Sequence, residues 1–165
     1  MNDKDDIDLE EKMGQSIDPQ SIIFIGLGNM DRADDGLGLI LVSKIKACFP
    51  EQAFLETEKA VEGIVLDNLN NEEVSAFIFI DAVDFGGEPG EIQLFDKHDA
   101  DRFTPAFSTH KVPISLLMGL IRRNNKLSFL LGVQPFCIEF LGEVSLPVYK
   151  SIQKVEKSIM HLLQK

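Results

Sequence analysis

The chain predicts a three-layer α/β/α fold, an open and mostly parallel twisted sheet of about five strands, one of them antiparallel, with helices on both faces. Three observations predict it. Short apolar runs at Ser21–Gly26, Ala76–Asp81 and Leu127–Val133 read as strands covered on both sides, because their side chains are β-branched or aromatic without polar alternation. Between them lie longer stretches with apolar residues at helical spacing. Glu91–Phe95 alternates instead, as expected of a less buried, antiparallel edge strand.

In chain order, residues 1–20 are rich in Asp and Glu and poor in large apolar side chains. Such a segment buries too little surface to offset chain ordering, so a flexible acidic tail is expected, the alternative being a short amphipathic turn that docks only on assembly. Ser21–Gly26 is the first strand. Gly36–Cys48 is helical, with Leu37, Leu41, Ile45 and Cys48 in register, and Pro50 stops it. Ala53–Thr57 reads as a second strand and Ile64–Leu69, with Val61, as a short helix. Ala76–Asp81 is the third strand, and Gly86-Gly87-Glu88-Pro89-Gly90 makes a tight turn before the edge strand.

Lys97–Ser108 reads as loop with one helical turn. Val112–Arg123 is helical, with Pro113 suited to its first turn and Arg122 and Arg123 to its C-terminal dipole. Leu127–Val133 is a buried strand and Gln134–Val144 a loop. Ser145 and Pro147 open a last helix, Pro147–Leu163, whose Val148, Ile152, Val155, Ile159 and Leu162 share one face. Residues 21–165 therefore form one α/β domain.

Composition narrows the partners. The net charge is −11, which disfavours nucleic acid, since phosphate neutralisation needs a surplus of Lys and Arg. No apolar run approaches the ~20 residues of a membrane span, and the acidic N-terminus resembles neither a signal nor a transit peptide. A cytoplasmic protein is expected, as a monomer or weak homo-oligomer. The two cysteines, Cys48 and Cys137, lack CxxC neighbours and read as incidental thiols.

The chemistry is expected at the stretch Ile22–Gly38, IIFIGLGNMDRADDGLG. In an open α/β sheet ligands bind beyond the carboxyl ends of the strands, where the winding reverses. With strand 1 central, that point lies between strands 1 and 3. Asp35, in the loop after strand 1, and Asp81, at the end of strand 3, then converge with His110 ahead of the next helix. Two carboxylates and an imidazole suit a divalent transition metal and leave coordination positions open. Each residue also has an ordinary reading. Asp35 suits the N-cap of the following helix, Asp81 suits a turn that satisfies backbone amides, and His110 suits a plain loop. Gly26-Leu27-Gly28 begins like a dinucleotide fingerprint, but Asp31 stands where the third glycine belongs, and paired carboxylates repel pyrophosphate. No P-loop and no GxSxG elbow is present.

The same residues resemble a known family. Gly26-Leu27-Gly28-Asn29, followed after four residues by Asp34-Asp35-Gly36-Leu37-Gly38, is similar to the opening motif of the [NiFe] hydrogenase maturation endopeptidases. Phe79–Asp84 with Pro89–Ile92, then Ser108–Pro113, then Leu131–Pro135 resemble that family's later blocks in order. The Asp-Asp and Gly-Val-Gln-Pro forms lean toward the formate-hydrogenlyase-type branch.

The resemblance implies an endopeptidase, of aspartic or metal-dependent type, that removes the C-terminal extension of a hydrogenase large-subunit precursor after nickel insertion. It implies nickel supplied by that precursor, no organic cofactor, and Asp35, Asp81 and His110 as the nickel-recognising and catalytic residues, with Asp34 positioning the loop or supplying a proton. The alternative is a non-catalytic module of the same fold that binds metal or precursor. One departure is evident: Thr57–Gly63 lacks the family's Gly-rich stretch, so Glu58 or Glu62 is expected to reach the site instead.

Overall fold

The computed structural model describes residues 8–100 and 112–165. The strands are β1 (Ile22–Gly26), β2 (Ala53–Leu55), β3 (Ala76–Ala82), β4 (Ile92–Phe95) and β5 (Leu127–Val133). The helices are α1 (Leu9–Met13), α2 (Leu37–Cys48), α3 (Val61–Leu69), α4 (Lys97–Ala100), α5 (Ile114–Arg123) and α6 (Leu146–Leu163). The expected order of strands and main helices is therefore present, with α1 added; α4 is the helical turn expected within Lys97–Ser108, and residues 101–108 of that stretch lie outside the described residues. Pro113 is the N-cap of α5 rather than part of its first turn.

The sheet order is β2-β1-β3-β5-β4. All neighbours are parallel except β4, which runs antiparallel to β5. Ile22, Phe24 and Ile25 of β1 are fully buried, and so are Ala76–Ile80 of β3, as the unbroken apolar runs require. One face packs on α1, α2 and α6 through Phe24, Ile78, Leu41, Ile45, Ile152 and Ile159. The other packs on α3 and α5 through Ile25, Phe77, Phe79, Ile64 and Met118. Since burying each such side chain stabilises by roughly 1.5–3 kcal/mol, these two layers hold the strand ends in fixed relation.

Residues 8–20 depart from the expected tail. Leu9, Met13 and Ile17 recur every fourth position and are 3–6% exposed in the core cluster beside α6. Asp8 caps α1 by accepting the Glu11 N–H at 3.0 Å, and Gly14 closes it at φ +69°. The acidic residues face outward, and Glu10 pairs with Lys165. An apolar stripe at helical spacing outweighs acidic composition here. Residues 1–7 of the expected tail lie outside the described residues.

Candidate active site

From β1 the chain passes to β2 on one side, and β3 lies on the other. The reversal therefore falls between β1 and β3, where Gly26 pairs with Ile80. Leu27 continues the ladder by donating its N–H to Ile80 O at 3.0 Å. The chain then turns through Gly28–Arg32 into a 3-10 turn, Ala33–Gly36, which runs into α2.

Glycine makes this turn possible. Gly28 has φ +123°, and a Cβ there would lie 1.8 Å from Asp35 O and 3.8 Å from Asp81 Oδ1. The Asp35 peptide and the Asp81 carboxylate thus flank one glycine. Gly38 lets α2 descend onto the sheet, since a Cβ there would sit 2.2 Å from Ile80 O and 2.4 Å from Leu27 O.

The adjacent aspartates have different fates. Asp34 is fully buried. Its Oδ2 accepts the N–H of Phe136 at 2.8 Å, the N–H of Cys137 at 3.0 Å and the Ser145 hydroxyl at 2.9 Å. Its Oδ1 accepts the Ser145 N–H at 2.7 Å. Asp34 is therefore a structural anchor that ties the turn to the loop after β5, and the proton-supplying reading of it is superseded. Ser145 stands at the N-cap of α6, but its hydroxyl serves Asp34 instead of the helix.

Asp35 is half-buried in the 3-10 turn. The N-cap of α2 is Gly36, so Asp35 is not that helix's cap. Its backbone carbonyl accepts the Asn29 N–H at 3.1 Å, which closes the loop. Asp81 is half-buried within β3, opposite Gly132 of β5, and its Oδ1 accepts the Ala82 N–H at 2.8 Å. His110 lies outside the described residues. Among the described residues no three His, Cys, Asp or Glu side chains are grouped so as to hold a metal ion.

Glu56 is the site residue the sequence reading missed. It follows β2, donates its N–H to Gly26 O at 3.1 Å and accepts the Gly28 N–H through Oε1. A carboxylate thus occupies the Gly28 amide, where a dinucleotide site would leave the backbone open to pyrophosphate, which argues further against a dinucleotide. Only the end of β2 signalled it: a strand beside β1 delivers its next residue to the same edge. The expected Glu58 instead pairs with Lys46 at the surface, and Glu62 lies in the first turn of α3.

Gln134 shapes the opposite wall. Its Oε1 accepts the N–H groups of Phe85 at 2.9 Å and Gly87 at 3.1 Å, and its Nε2 donates to Asp84 Oδ1 at 3.0 Å. The Gly-Val-Gln-Pro sequence is thus a clamp on the turn after β3. The two cysteines are free thiols. A separate hollow of about 620 Å³ lies between α1 and the C-terminal end of α6, lined by Asp8, Glu10, His161 and Lys165. It is most of a helix length from Ser145, roughly 25 Å at 1.5 Å per residue, and takes no part in this site.

A mostly parallel open sheet with half-buried Asp81 at the end of β3 and half-buried Asp35 in the turn after β1, both beside the winding reversal, has the architecture of an α/β enzyme site. The chain belongs to the hydrogenase maturation protease family, whose model matches residues 64–162, more than half of its length. That segment holds Asp81 and His110 and begins after Asp35 and Glu56. A Methanocaldococcus jannaschii relative is 32% identical over 98 residues, covering 58% of this chain and 64% of that one. The Escherichia coli hydrogenase 3 maturation protease is 26% identical over 136 residues, covering 81% of this chain and 85% of that protein. The crystal structure of the [NiFe] hydrogenase maturation protease HycI from Thermococcus kodakarensis superposes with a TM-score of 0.71 at 23% identity. It covers 88% of this chain and 94% of that one, and so supports the common fold.

Proposed function

We propose that this protein is an endopeptidase that removes the C-terminal extension of a [NiFe] hydrogenase large-subunit precursor, recognising the nickel already bound in that precursor. Family membership supports the reaction class. The observation that carries the site is the flanking of Gly28 by the Asp35 peptide and the Asp81 carboxylate. Asp35 and Asp81 are each half-buried, and with His110 they offer three donors, fewer than the full coordination set of a transition metal. Such a site suits an ion that arrives with ligands of its own.

In this reading the nickel is part of the substrate. Asp35, Asp81 and His110 supply oxygen and nitrogen donors to it, which fixes the precursor over the cleft and brings the scissile peptide beside the carboxylates. A carboxylate of the site accepts the proton of the attacking water. Glu56 holds the Gly28 amide and keeps the turn shaped around Asp35. The protein acts in the cytoplasm, without an organic cofactor. In the described residues no helix is long and apolar enough to cross a membrane.

The test is processing of a purified nickel-loaded precursor, read as a shortened large subunit on a gel and by mass. The native protein shortens it, whereas Asp35→Asn, Asp81→Asn and His110→Ala do not. Normal processing by all three variants would overturn the site. A stable complex without shortening would show a binding module instead.

A further inference from the structure

Eight large apolar side chains stand exposed among the described residues, and six of them come from the two loops joined by Asp34 and from the first turn of α6: Met30, Phe136, Phe140, Leu141, Leu146 and Tyr149. Their exposures run from 46% to 76%. Scattered singly, such residues need no explanation, but a concentration of them marks a surface that another molecule covers.

Hydrogen bonds hold this concentration beside the catalytic turn. Leu141 donates its N–H to Asp31 O at 2.7 Å, which sets it next to Met30. Phe136 and Ser145, the neighbour of Leu146, donate to the Asp34 carboxylate. Tyr149 stands one turn into α6, with its N–H on Ser145 O at 2.8 Å. Arg32 Nε donates to Ile138 O at 3.4 Å, a second strap between the loops. The rim is thus rigidly fixed to the residue preceding Asp35.

We propose that this apolar rim is the docking surface for the precursor polypeptide, and that it takes an apolar segment of the precursor next to the scissile bond. The inference rests on the endopeptidase reading and deepens it. Its ground is continuity: a chain whose cut point lies over Asp35 and Asp81 must cross one of the walls around them. The wall made by residues 136–149 presents aromatic and aliphatic surface, and Met30 adds an adaptable side chain within it. Carboxylates at the centre and apolar contacts at the rim then divide the work. The centre recognises the metal and the rim recognises the polypeptide.

The test uses Phe136→Ser, Phe140→Ser and Leu141→Ser, singly and combined, with Leu66→Ser on the exposed face of α3 as control. All four positions are exposed, so folding is expected to survive, and thermal melting checks it. Affinity for the nickel-loaded precursor and the KM and kcat of processing are measured. Each rim variant is expected to raise KM about tenfold, as loss of one buried apolar anchor implies. The triple variant is expected to abolish capture of precursor, with the control matching native protein.

Rim variants that bind and process like native protein overturn the docking surface while leaving the endopeptidase reading in place. If native protein binds precursor without cutting it and the rim variants lose binding, the docking surface stands and the endopeptidase reading falls. If native protein neither binds nor cuts, both fall. Rim variants that convert a native dimer to monomer with unchanged precursor affinity assign the rim to a second copy and overturn the proposal.

Discussion

Asp34 Oδ1 accepts the backbone N–H of Ser145 at 2.7 Å, joining positions 111 residues apart. Three further donors from Phe136, Cys137 and the Ser145 hydroxyl fill the other oxygen. A fully buried carboxylate is tolerable because every bond to it is charge-assisted. Removing it leaves three part-buried backbone N–H groups without their acceptor, each costing about 1–3 kcal/mol where water cannot replace it. Asp34→Ala is therefore expected to lose about 4 kcal/mol in urea unfolding. Asp35→Asn is expected to stay within about 1 kcal/mol of native. Equal effects at the two positions would contradict the division between anchor and site residue.

Gly28 carries two separable constraints. Its φ of +123° disfavours any L side chain, and a Cβ would meet Asp35 O at 1.8 Å. Gly14 provides the comparison, since its φ is +69° but nothing lies within 4 Å of its would-be Cβ. Gly14→Ala is expected to cost about 1 kcal/mol, the strain alone. Gly28→Ala is expected to cost about 3 kcal/mol or more and to abolish processing, because the Asp35 peptide must move. Thermal unfolding of both variants, with processing of precursor measured well below the melting point, tests this.

The strands and main helices were legible because buried strands announce themselves as unbroken β-branched runs and helices by their period. The strand order β2-β1-β3 followed from placing Ser21–Gly26 at the centre, and it correctly put the winding reversal between β1 and β3. The contrast between Asp34 and Asp35 was not legible. Neighbouring aspartates look alike in sequence, and Asp34 is buried by partners more than 100 positions away. Glu56 escaped because β2 is only three residues long and its end is set by pairing with β1, not by any local signal. The ordered residues after Asp8 escaped for another reason: composition pointed one way and the spacing of Leu9, Met13 and Ile17 the other.

That spacing gives a prediction about the amino-terminal segment. Leu9 and Met13 are 3% and 6% exposed, packed in the cluster that includes Ile159, Leu162 and Leu163. Leu9→Ala and Met13→Ala are each expected to cost about 2 kcal/mol. The double variant is expected to cost less than twice that, since a five-residue helix that has lost one anchor leaves as a unit. Processing well below the melting temperature is expected to match native protein, because α1 packs at the end of α6 opposite Ser145. A simple additive cycle would show instead that α1 stays docked on one anchor.

Glu56 tests what a carboxylate contributes through its hydrogen bond to a backbone amide. Its Oε1 receives the Gly28 N–H, and its own N–H reaches Gly26 O, so it bridges β2 and the turn. If its role is to hold that turn, an amide oxygen serves nearly as well. Glu56→Gln is then expected to keep processing within about fivefold of native, the difference between a charge-assisted and a neutral hydrogen bond. Glu56→Ala frees the Gly28 amide and with it the Asp35 loop, and is expected to lower kcat about a hundredfold, the scale of a misplaced site. If Gln and Ala fall together, the charge itself is required, and Glu56 joins Asp35 and Asp81 as a reacting group rather than a positioning residue. The KM for precursor separates these outcomes from docking, since neither Glu56 variant touches the apolar rim around Phe136 and Leu141.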